Sequence, residues 1–114
     1  METSLRIVFH QLPKSAALEA DIRQRVDELE AVCDRIVSCR ISVEAPHHHH
    51  QQGLLYRVCV DVGVPGHHVV VGGTPDHDHA HEDPYVAVRD AFLATKRRLE
   101  EHVRRSREHL HAET

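Results

Sequence analysis

Leu55-Tyr56-Arg57-Val58-Cys59-Val60-Asp61-Val62-Gly63-Val64 alternates residue by residue, and that alternation decides the fold. Tyr56, Val58, Val60, Val62 and Val64 fall on one face of a strand, with Arg57, Cys59 and Asp61 on the other. A valine-rich face of this width must be covered by a second layer. Downstream, Pro65-Gly66 signals a turn and His67 to Gly72 reads as a short partner strand. Upstream, Ile36 to Glu44 also has period two, setting Val37, Cys39, Ile41 and Val43 against Ser38, Arg40, Ser42 and Glu44. Ser4 to His10 is a further half-buried strand, carrying Leu5, Ile7 and Phe9.

Two helical stretches supply the cover. Pro13 and Ser15 announce the first, Ser15 as N-cap, with a buried stripe of Leu18, Ile22, Val26, Leu29 and Val32. Asp83-Pro84 opens the second as N-cap and first helical position. Its apolar stripe is Tyr85, Val88, Phe92, Leu99, Val103 and Leu110. The order strand, helix, three strands, helix predicts an α+β two-layer sandwich. A four-stranded sheet carries both helices on one face. A strand–helix–strand start implies two parallel strands joined by a right-handed crossover, and the later strands pair antiparallel. Residues 1–114 read as a single domain with an ordered core of about 4–107.

At about 100° per residue, Arg89, Lys96, Arg97, Arg104 and Arg107 gather beside the second stripe, with Glu100 the only acid among them. A helix anchored by one face and cationic on the next suits a polyanion, RNA first. The opposing reading is a solvated helix in which Glu100–Arg104 and Glu101–Arg105 are ordinary i,i+4 pairs. Arg98 lies off this flank and reads as plain surface. The summed charge is −4 with histidine neutral, so the electrostatic case is local. Thirteen histidines make the total sensitive to mild acidification.

Three cysteines, Cys33, Cys39 and Cys59, are too few and too unevenly spaced for a disulfide framework or a paired-cysteine zinc site. Cys39 is expected in the core, and Cys59 alternates outward. No Ser-His-Asp arrangement or glycine-rich phosphate loop is visible, so no enzyme is expected. Met1-Glu2-Thr3-Ser4 lacks the regions of a signal peptide, and no apolar run is long enough to span a bilayer, which makes cytoplasm the expectation.

The chain resembles the ribosome hibernation-promoting factor / ribosome-associated inhibitor family, also called sigma-54 modulation proteins. The likeness runs over about residues 4–107. It is carried by Val43-Glu44-Ala45-Pro46-His47, Tyr56-Arg57-Val58 with Asp61, Val64-Pro65-Gly66, and His81-Glu82-Asp83-Pro84-Tyr85-Val86-Ala87-Val88-Arg89-Asp90-Ala91-Phe92. The resemblance implies the same fold. It also implies a translation inhibitor or hibernation factor that grips rRNA of the small ribosomal subunit and sterically blocks the tRNA and mRNA sites, with no membrane or DNA partner. Carried over by position, its RNA-binding residues are Arg89, Lys96, Arg97, Arg104 and Arg105, with Arg23 and Arg25 on the first helix. The chain departs from the family in its acidic sum. It also departs at Val71-Gly72-Gly73-Thr74, where relatives often place a basic residue, and neither a dimerisation nor a cold-shock domain is expected after Thr114.

The histidines open an alternative of another class, a metal-binding or pH-responsive module on the same fold. His77, His79 and His81 alternate, so an extended segment presents them on one side to Zn, Ni or Cu. Loop histidines need fixed geometry to hold a metal. The expectation is therefore no cofactor, with adventitious Zn or Ni at most. His47, His48, His49 and His50 read as a loop that gains charge on acidification and faces RNA.

Overall fold

The computed structural model describes residues 3–45, 55–72 and 81–113. Six elements follow one another: β1 (Ser4–His10), α1 (Ala16–Val32), β2 (Ser38–Glu44), β3 (Arg57–Val64), β4 (His67–Val71) and α2 (Pro84–Glu113). The sheet order is β1-β2-β3-β4. β1 and β2 run parallel, while β2–β3 and β3–β4 are antiparallel. The predicted α+β order and pairings are all present.

Register explains the core. Leu5, Ile7 and Phe9 sit opposite Cys39, Ile41 and Val43, which sit opposite Val62, Val60 and Val58. Val60 and Val62 then meet Val71 and Val69. This one face shares a core with Leu18, Ile22, Val26 and Leu29 of α1 and Val88, Ala91, Phe92 and Leu99 of α2. Each fully buried aliphatic side chain there stabilises the fold by roughly 1.5–3 kcal/mol.

The helix starts are built as their sequences direct. Ser15 has extended backbone, and its Oγ accepts from Leu18 N at 3.2 Å. Asp83 Oδ1 accepts from Tyr85 N at 2.9 Å, and its carbonyl accepts from Ala87 N at 3.0 Å. Pro65 at the second and Gly66 at the third position of the β3–β4 turn, Gly66 with φ +75°, give the type II pattern.

Two core assignments are corrected. Tyr85 is 42% exposed and Val37 is 50% exposed. Ala87, Ala91 and Thr95 are all fully buried, so the side of α2 against the sheet is centred on small residues. Tyr85 then lies roughly 120° round from Ala91, the middle of that set, outside the contact. At β2, the chain leaves the turn at Asp34-Arg35 with Ile36 buried, which sends its neighbour Val37 outward.

Candidate nucleic-acid interface

The buried side of α2 fixes what its outer side presents. With Ala91 and Thr95 against the sheet, Lys96, Arg97, Glu100, Arg104 and Arg107 come round to the surface, and all are exposed. Leu93, 52% exposed, lies within the same flank. Tyr85 borders it one turn before Arg89. Neither was legible as a surface group in the sequence: Tyr85 fitted the apolar stripe, and Leu93 carried no signal beyond falling off it.

Pairing divides the cations into two classes. Arg89 Nε and Nη2 donate to Oδ1 of adjacent Asp90 at 3.2 and 3.1 Å. Arg105 Nη2 donates to Glu101 Oε1 at 2.6 Å. On α1, Arg23 Nη2 donates to Glu19 Oε1 at 3.4 Å, and Arg25 Nε donates to Asp21 Oδ2 at 3.0 Å. Lys96, Arg97, Arg104 and Arg107, in contrast, form no ion pair with any described residue. Of the two i,i+4 pairs that a solvated helix would show, only Glu101–Arg105 forms. Among the described side chains of this flank, four cations against Glu100 leave a local excess of three positive charges on an overall acidic chain.

Two of these cations, Arg104 and Arg107, border an open groove. Val32 at the end of α1 and Glu100, Val103, Arg104 and Arg107 of α2 enclose about 300 Å³. Guanidinium groups offer forked donors that match phosphate oxygens, and lysine adds a mobile point charge. Their exposure keeps the interaction in high dielectric and sensitive to salt. The arrangement is suited to positioning a phosphate backbone, and nothing in it reads base edges.

Arg98 is not plain surface. Its guanidinium reaches back across the sheet edge and donates to the Val70 carbonyl of β4. His81 is held by its backbone, which pairs with Tyr56 in an isolated bridge, and its Nδ1 accepts from Asp83 N at 3.0 Å. His77, His79 and His47 to His50 lie outside the described residues. Among the described residues, no group of three or more His, Cys, Asp or Glu side chains is disposed to hold a metal. Nor is any helix there long and apolar enough to cross a membrane.

Cys39 and Cys59 sit where thiols are quiet. Burial pushes the Cys39 thiol up to about 12, with Glu30 and Asp61 adding to the effect. Cys59, half-buried, is also raised, first by burial and then by Asp61, with Arg40 opposing. Neither favours the thiolate a nucleophile needs.

Comparison with known proteins gives a consistent picture of the fold. A ribosomal subunit interface protein from Coxiella burnetii superposes with a TM-score of 0.72 at 15% identity, over 88% of this chain and 97% of that one. The N-terminal domain of Protein Y from Thermus thermophilus superposes with a TM-score of 0.70 at 14% identity, over 89% and 99%. No curated protein matches the sequence. The sequence profile of the Sigma 54 modulation protein / S30EA ribosomal protein family matches residues 5–107, nearly the whole chain, and the chain belongs to that family.

Proposed function

We propose that this protein is a ribosome-associated translation inhibitor or hibernation factor. It binds rRNA of the small ribosomal subunit through the outer flank of α2 and blocks the tRNA and mRNA sites by occupying them. The observation that carries the reading is the set Lys96, Arg97, Arg104 and Arg107, exposed together on one flank without described carboxylate partners. Membership of a ribosomal protein family and likeness in fold to a ribosomal subunit interface protein support it. Arg89, Arg105, Arg23 and Arg25 are secondary contacts, since each must first release an acidic neighbour.

The role is stoichiometric. Each cation that meets a phosphate displaces condensed counterions, so affinity falls steeply as salt rises. Recognition is of RNA shape and backbone. No bond is made or broken, no cofactor is required, and the site of action is the cytoplasm.

Co-sedimentation with ribosomal subunits at low and high salt tests the proposal. The protein should travel with the small subunit at low salt and leave it at high salt. Lys96→Glu with Arg97→Glu should release it at low salt while its circular dichroism stays that of the wild type. Unchanged co-sedimentation of that variant would falsify the assignment. Failure to bind subunits together with stoichiometric zinc uptake would favour a metal module instead.

A further inference from the structure

α2 has a second polar flank, turned toward β4, of which the proposed rRNA contact uses only Arg105, and that secondarily. Arg98, His102 and Arg105 recur on it at helical spacing and face the β3–β4 turn. They border a cavity of about 410 Å³ closed on the other side by Pro65, Gly66 and His67. Across it the His67 and His102 rings stack, centroids 5.2 Å apart and planes 8° from parallel.

The charges around that stack are few. From α2 come Arg98, Arg105 and Glu101, and from the turn only the uncharged Pro65 and Gly66. His68 belongs to the opposite sheet face, where it meets Asp61 at 2.7 Å. Glu101 is taken up by Arg105 at 2.6 Å. With both imidazoles neutral, the cavity carries two guanidinium groups and one carboxylate. Imidazoles change charge between about pH 5 and pH 8. Once both are protonated, two cations lie face to face beside two more, with a single carboxylate among them. Such a cluster is relieved by an anion that accepts from several donors at once, and a protonated imidazole donates from both nitrogens.

We propose that the cavity between the β3–β4 turn and α2 is a phosphate-binding site that acidification strengthens. His67 and His102 are its proton-dependent donors, and Arg98 and Arg105 its permanent cations. Phosphate binding and proton uptake are then linked, so each favours the other. The phosphate is either free or part of an RNA backbone. In the second case the site adds a pH-dependent contact to the rRNA binding proposed above, on which that part rests.

The test uses the full chain and an RNA hairpin unrelated to the ribosome, so that it does not depend on subunit binding. Hairpin affinity should rise about tenfold from about pH 8 to about pH 6, the gain expected from two added charges at contact. The rise should disappear in His67→Gln/His102→Gln and shrink in His67→Gln alone, a change at an exposed position that leaves the core untouched. It should persist in Lys96→Glu/Arg97→Glu, whatever that variant does to ribosome binding. Sulfate, an oxyanion whose charge is constant over this range, separates the two sources. Saturable shifts of the His67 and His102 ring protons with sulfate at about pH 6 support a free-anion site. Shifts with the hairpin alone support an RNA-backbone site. A rise of wild-type size in the double histidine variant, or no ring shift with either probe, overturns the proposal.

Discussion

Gly72 passes directly over the Val58 peptide. It has φ +88°, and a Cβ built there would overlap the Val58 carbonyl oxygen and lie 3.1 Å from Cys59 Cα. The position at the end of β4 is therefore fixed by close backbone approach as well as by left-handed geometry. This accounts for the glycine at a position where any side chain would collide with backbone. Gly72→Ala should destabilise by about 2 kcal/mol or more. Gly66→Ala, at φ +75° but facing open space, should cost only about 1 kcal/mol. Paired urea melts of the two variants measure the difference, and equal losses would show that the approach to Val58 is relaxed at no cost.

Thr95 is fully buried on the sheet side of α2, and its Oγ1 donates to the Ala91 carbonyl at 2.7 Å. That bond only shares a carbonyl the helix already uses, so the hydroxyl is satisfied without contributing much. Thr95→Val keeps the shape and should change stability by less than about 0.5 kcal/mol in either direction. Leu99→Ala, one turn on and equally buried, opens a cavity and should cost about 2–5 kcal/mol. Thermal melts of both variants give the contrast; a large loss from Thr95→Val would mean the hydroxyl has a partner of real weight.

Cys39 gives stability a defined alkaline limb. Its folded pKa is raised to about 12 by burial, helped by Glu30 and Asp61. An unfolded thiol ionises near 8.5. The stabilisation is therefore complete below that value and is lost as pH climbs from it toward the folded value. Between about pH 8.5 and 10 the wild type should lose on the order of 2 kcal/mol more than Cys39→Val, which has no thiol to release. Denaturant titrations at the two ends of that window read the difference directly, and parallel curves would mean the thiol ionises in place. Under native conditions at mildly alkaline pH, iodoacetamide should leave Cys39 unmodified and label Cys59 more slowly than a free cysteine.

The fold was legible because alternation and helical spacing carry most of it. The runs ending at Glu44 and Val64, the N-caps Ser15 and Asp83, and the Pro65-Gly66 turn each reappear at the expected place. What misled was the first large residue of the α2 stripe. Val88, Phe92, Leu99 and Val103 do pack on the core, together with the small Ala87, Ala91 and Thr95, whereas Tyr85 lies outside it. The candidate site was legible only as a list of cations. Spacing places Arg89 and Lys96 on one flank, but it does not say that Arg89 turns to Asp90 while Lys96 stays unpaired. Long side chains choose partners by rotamer, and a reach such as Arg98 to Val70 crosses elements that the sequence does not show to be adjacent. The His67–His102 stack was hidden for the same reason, since its members are 35 positions apart.

That division between paired and unpaired cations can be measured through salt dependence. A cation that meets phosphate directly adds its share to the slope of log affinity against log salt, about one for each contact. Lys96→Ala and Arg104→Ala should each lower the slope for small-subunit binding by about that amount. Arg23→Ala and Arg25→Ala should lower it less. Each removes a charge that Glu19 or Asp21 already balances, and exposed pairs of this kind hold by only about 0.2–1 kcal/mol. Binding measured for the four single variants across a salt series gives the ordering. If Arg23 and Arg25 carry the steeper share, the RNA lies along α1, and the outer flank of α2 is not the main contact.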